Sequence, residues 1–178
     1  MVRIRIVVAA TLCGVLAACA FGSYKALIPS EAVVLPLGTA SVATTYHQSA
    51  DDPSRWDEVT TDGVPETFDI RQEGYGYWLD SDSWLVFAQL DGSTDEYLMQ
   101  VALPDEATEG GYVYNYAVGK LVASKLFVKF PDCDDLSIDT MNLLGLDAEC
   151  AITSYADLKR VIAETKDAAD YSTYYLLR

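Results

Sequence analysis

Residues 83–103 read SWLVFAQLDGSTDEYLMQVAL and carry the clearest architectural signal in the chain. Two apolar runs, Ser83–Leu90 and Glu96–Leu103, flank Asp91-Gly92-Ser93-Thr94. Asp-Gly between apolar runs signals a β-hairpin, because both residues tolerate the positive φ that a tight turn needs. The same grammar extends both ways. Upstream lie Ser41–His47, Glu66–Gln72 and Gly74–Leu79, the last closed by Asp80-Ser81-Asp82. Downstream lie Gly111–Val118 and Leu121–Phe130, introduced by Gly110-Gly111. Short strands with a turn about every ten residues predict an antiparallel β-sandwich or a barrel-like meander. Residues 48–65 are polar, contain Pro53, Gly63 and Pro65, and read as a loop.

The chain changes character after residue 130. Ile138–Leu144 reads as a short helix stopped by Gly145. Ser154 and Asp157 form an S-x-x-D capping box for an amphipathic helix from Tyr155 to about Asp167. Leu158, Val161 and Ile162 share its apolar face, and Lys159, Arg160 and Glu164 lie elsewhere. Tyr171–Leu177 supplies a last strand. The predicted class is therefore mainly β (α+β), a sandwich or barrel followed by a short helix and a C-terminal amphipathic helix.

The N-terminus is of another kind. Arg3 and Arg5 precede an uncharged apolar run, Ile6–Val15, and then Leu16-Ala17-Ala18-Cys19. A positive start, a short apolar run and small residues before a cut make a secretory signal. The run is shorter than the roughly 20 residues that span a bilayer. Leu16-Ala17-Ala18-Cys19 resembles the lipobox of bacterial lipoproteins. That resemblance implies removal of residues 1–18, lipid on Cys19 and anchoring in a membrane through palmitate-like chains. Ala20, where an Asp favours inner-membrane retention, implies an outer-membrane address facing the periplasm. Residues 19–38 then form a lipidated tether and lead-in, interrupted by Pro29 and Pro36, with Ala32–Leu37 apolar enough for a first strand. Residues 39–178 form a single β-rich domain with a helical C-terminal part.

Loss of the leader takes two arginines and leaves ten Lys and Arg against 27 Asp and Glu, a side-chain balance of −17. That sign argues against nucleic acid as a partner, and against lying flat on anionic lipid. Residues 51–109 hold sixteen acidic residues against Arg55 and Arg71, a charge that solvates the fold, steers a basic partner or collects divalent cations. Cys133 and Cys150 are the thiols left after Cys13 departs and Cys19 is lipidated, and in an oxidising compartment they are expected to pair.

Motifs for chemistry are scarce. His47 is the single histidine, read as a surface or edge residue, and neither G-x-S-x-G nor H-E-x-x-H occurs. Asp80 with Asp82, and Asp132 with Asp134 and Asp135, fit turn caps better than calcium ligands, since neither run has the calcium-loop spacing. No cofactor and no catalytic residue is expected. Gly74-Tyr75-Gly76 reads as a bulge or turn.

Aromatic residues are the more informative constellation. Tyr75, Tyr77, Trp78, Trp84 and Phe87 crowd together. Tyr112, Tyr114 and Tyr116 alternate, so one face of one strand carries all three. Buried, they build a core; exposed, they stack on a sugar or a peptide. Trp56 stands in the polar loop, either plugging the end of the barrel or sandwich or meeting a partner. These features suit a non-catalytic binding or assembly module of the envelope. An inhibitor of a basic partner such as a lysozyme, and a carboxylate-dependent hydrolase, are the alternatives.

Overall fold

The computed structural model describes residues 21–131, 133, 136–144, 146, 152–167 and 170–178. Eight strands close into a barrel: β1 (Val42–Gln48), β2 (Thr67–Glu73), β3 (Gly76–Leu79), β4 (Ser83–Gln89), β5 (Glu96–Pro104), β6 (Tyr112–Val122), β7 (Lys125–Lys129) and β8 (Thr173–Leu177). Every neighbouring pair is antiparallel and consecutive in sequence, and β8 returns to pair with β1. The barrel alternative is thus realised, as an up-and-down meander.

The register shows which side chains fill it. Val101 lies opposite Leu85, Tyr77 opposite Leu85, Leu126 opposite Tyr175 and Leu177 opposite Ala43. Following these pairs around the ring gives one inward set from all eight strands, including Phe87, Met99 and Ala117. An eight-stranded barrel is narrow enough for side chains to fill its interior.

A second core lies outside the wall. Val86, Leu98, Tyr116 and Val118 face outward from β4, β5 and β6. They are covered by Phe21, Leu27 and Ile28 and by the apolar face of a helix, Tyr155–Thr165. That helix (α2) and the shorter Ile138–Leu144 (α1) start where the sequence places them. Ser154 caps α2 by accepting the Asp157 N–H, the expected capping box.

Three short strands fill gaps along the staggered barrel. Gly22–Ser23 pairs with β6, Val33–Val34 with β4, and Trp56–Glu58 with the end of β1. The lead-in residues from Phe21 onward are therefore docked on the barrel rather than free, and Ala32–Leu37 yields just the two paired valines. The stretch 48–65 is not a plain loop. It also holds a hairpin, Thr60–Thr61 with Val64–Pro65, turned by Asp62-Gly63 with φ 54° and 75°. Two positive φ values make a type I′ turn, the geometry that matches strand twist. The predicted strand Leu121–Phe130 divides, because Leu121 and Val122 finish β6 and Ala123-Ser124 turn the chain, Ala123 at φ 53°.

Burial holds several phenols above the usual tyrosine range. Tyr77 is raised by burial, Tyr116 more strongly so, and Tyr175 is pushed up to about 12 by burial and then by the Glu66 charge. A phenol whose native pKa is raised stays protonated longer in the folded chain than in the unfolded one. Its contribution is complete below the ordinary value of 10.0 and is lost as pH rises through the native value. The urea midpoint should accordingly be flat to about pH 9 and fall steeply between about pH 10 and 12. A midpoint unchanged across that range would show that these phenols ionise without cost to the barrel.

Candidate functional site

The outward face of β3 to β6 carries a row of side chains set by strand register. Trp78 lies opposite Trp84, Trp84 opposite Ala102, Ala102 opposite Tyr114, and Tyr114 opposite Ser23. Ala102 is the small member, so the rings on either side of it bound a trough. Tyr112 stands one register step along β6, opposite Pro104, and Tyr75 projects from the β2–β3 turn, 57% exposed. Ala26, Ile28 and Ser30 form the other bank of a groove of about 450 Å³.

The ring geometry is that of walls, not of a stack. The Trp78 and Trp84 centroids are 4.9 Å apart with planes at 61°, and Tyr75 meets Trp84 at 5.7 Å and 83°. Gly76 makes room for the Trp84 indole, since a Cβ there would fall 2.5 Å from Trp84 Cζ2. The glycine expected as a bulge or turn thus provides a close approach of ring to backbone. Gln100 lies at the floor, 3% exposed, with Oε1 accepting from Leu27 N at 2.8 Å and Ile28 N at 3.1 Å.

The expected surface residues therefore separate. Tyr112 and Tyr114 line the groove, half-buried. Tyr116 shares their face but is fully buried and presents no surface, because Phe21 and its neighbours cover it. Its hydroxyl lies 3.4 Å from both Lys25 O and Gln100 Oε1. Tyr77 and Phe87 point into the barrel.

Trp56 neither plugs the barrel end nor stands free in a loop. It is half-buried on the outer wall, edge-on to Tyr174 at 5.0 Å and Phe127 at 5.7 Å. The reason is its strand pairing opposite Gln48, which puts it on the outward side with Tyr46. Tyr46 stacks on Tyr174 at 4.7 Å and donates to Glu58 at 3.0 Å. His47, expected at a surface or edge, is half-buried, and its register opposite Thr173 puts it on the inward side.

The aspartates at turns act as caps. Asp80 Oδ1 accepts from Asp69 N, Asp105 Oδ1 from Ala107 N, and Asp52 Oδ1 from Ser54 N and Oγ. The Ser54 bonds hold the Asp52 carboxyl below its ordinary pKa. Asp132, Asp134 and Asp135 lie outside the described residues. Cys133 is disulfide-bonded, and its expected partner Cys150, like Cys19, also lies outside them. Meander topology puts the β1–β2, β3–β4 and β5–β6 connections at one barrel end. Those connections carry eleven of the sixteen acidic residues of 51–109, from Asp51 to Glu109, with Arg55 as their one basic residue.

No known protein family, curated protein or solved structure matches this chain.

Proposed function

We propose that this protein is a lipid-anchored envelope protein, a non-catalytic binding module that holds its ligand in the groove on the outer barrel wall. The Leu16-Ala17-Ala18-Cys19 box supports the anchor, on the periplasmic side of the outer membrane. The observation that carries the binding role is the row Trp78, Trp84, Ala102 and Tyr114, with Tyr75 standing exposed beside it. Tryptophan and tyrosine dominate binding hot spots because they offer large rigid faces with a polar tip.

Tyr75→Ala tests it. The ring is mainly exposed, so its removal should leave stability within about 0.5 kcal/mol. Retention of a partner from envelope extracts should fall at least about fivefold, the lower range for an interface aromatic. Undiminished retention would remove the groove from consideration.

The acidic barrel end favours a second reading, sequestration of a basic partner such as a lysozyme. Retention would then be lost in high salt and be indifferent to Tyr75→Ala.

A further inference from the structure

Gln100 has an amide half that the fold does not use. Both Leu27 N and Ile28 N can only donate, so the atom they meet is the oxygen and the nitrogen is the other terminus. Gln100 Nε2 makes no hydrogen bond among the described residues. No fully enclosed side-chain nitrogen or oxygen among them lacks a partner, so Nε2 retains a path to open space. The space that Gln100 lines is the aromatic groove. A side chain 3% exposed therefore holds two unmet donors at the floor of that groove.

The indole N–H groups of Trp78 and Trp84 are donors only and make no hydrogen bond among the described residues. Glu73, the carboxylate at the rim, is turned to Arg71 at 2.9 Å. The hydroxyls of Tyr75, Tyr112 and Tyr114 along the groove can donate or accept, so the Gln100 amide at the floor is the group that calls for an acceptor alone.

We infer that the groove takes an extended proline-rich segment of a partner protein, with a prolyl carbonyl accepting from Gln100 Nε2. The inference rests on the reading of the groove as the binding site. A prolyl residue brings a ring face and a carbonyl but no N–H. Polyproline II segments dock in aromatic-lined grooves because they are already extended and lose little entropy on binding. The dimensions agree. Three strand spacings from Trp78 to Tyr114 make about 14 Å, the length of between about four and five residues of polyproline II.

The test uses the processed, lipidated protein in detergent micelles, titrated with decaproline and separately with the trimer of N-acetylglucosamine, and followed by tryptophan fluorescence. Decaproline should give a saturable change. Gln100→Glu keeps an oxygen for Leu27 N and Ile28 N but loses the donors, and should weaken binding about tenfold. Tyr75→Ala, on an exposed ring, should weaken it at least about fivefold without moving the urea midpoint. Saturation by the sugar and not by decaproline would overturn the peptide and leave the groove as the binding site. Decaproline binding that neither variant weakens would overturn the inference by placing the peptide elsewhere. No response to either probe also overturns it, and retention by Tyr75→Ala then decides the groove independently.

Discussion

Gly76→Ala should lower the stability of the barrel by about 2 kcal/mol and disassemble the groove in the same step. An added Cβ would meet Trp84 Cζ2 at 2.5 Å and the Leu85 carbonyl oxygen at 2.8 Å. The carbonyl belongs to the backbone of β4, the neighbour of β3 in the closed ring, so it has little freedom to retreat. The Trp84 ring can move only by giving up its contacts with Trp78 and Tyr75. The matched control is Gly110→Ala, where a Cβ would meet nothing within 4 Å. That change should stay within about 0.5 kcal/mol of the parent. Urea unfolding separates the two, and tryptophan emission should shift to the red in the Gly76 variant alone. Equal midpoints for the two variants would refute the claim that Gly76 is reserved for the indole.

Cys19→Ser should have an all-or-none effect on anchoring. An oxygen in place of sulfur removes the thioether acceptor, so the precursor should keep its leader and take up no labelled palmitate. Normal lipid labelling of the variant would sink the lipoprotein reading. The anchor also has a geometric side. Only Ala20 separates Cys19 from Phe21, which is fully buried against the outer wall. Two residue steps reach at most about 7 Å. A lipidated Cys19 would hold the barrel close to the bilayer rather than on a long leash.

Much of this fold is written locally in the sequence. The Asp91-Gly92 turn, the capping serine of α2 and the alternation of Tyr112, Tyr114 and Tyr116 each follow from residues a few positions apart. Whether the sheet closes is not a local property. It depends on the stagger accumulated over eight pairings and on β8 meeting β1. The same limit hides which tyrosine of a row is covered, since Phe21 and Leu27 decide that from about ninety positions away. Polar neighbours obscure Trp56 in the sequence, although Asp62-Gly63 between short β-prone pairs is a readable hairpin signal. Gln100 left a fainter trace, one amide inside the apolar run Tyr97–Leu103. A lone polar residue on the covered face of such a strand marks either a brace for a docked segment or a ligand contact, and here its oxygen is the brace.

The pairing of β8 with β1 also dictates an order of events. Ala43 and Leu177 are partners, yet they lie roughly 130 positions apart in the chain. Until that last strand arrives, β1 and β7 each carry an open edge of unpaired backbone groups, the kind of template on which chains join wrongly. Contacts of such long separation also slow folding. For a chain delivered N-terminus first through an export channel, the barrel would stay unsealed until residues 173–177 are through. In that case the interval between emergence of β1 and arrival of β8 would be when its open edges are most exposed to mispairing.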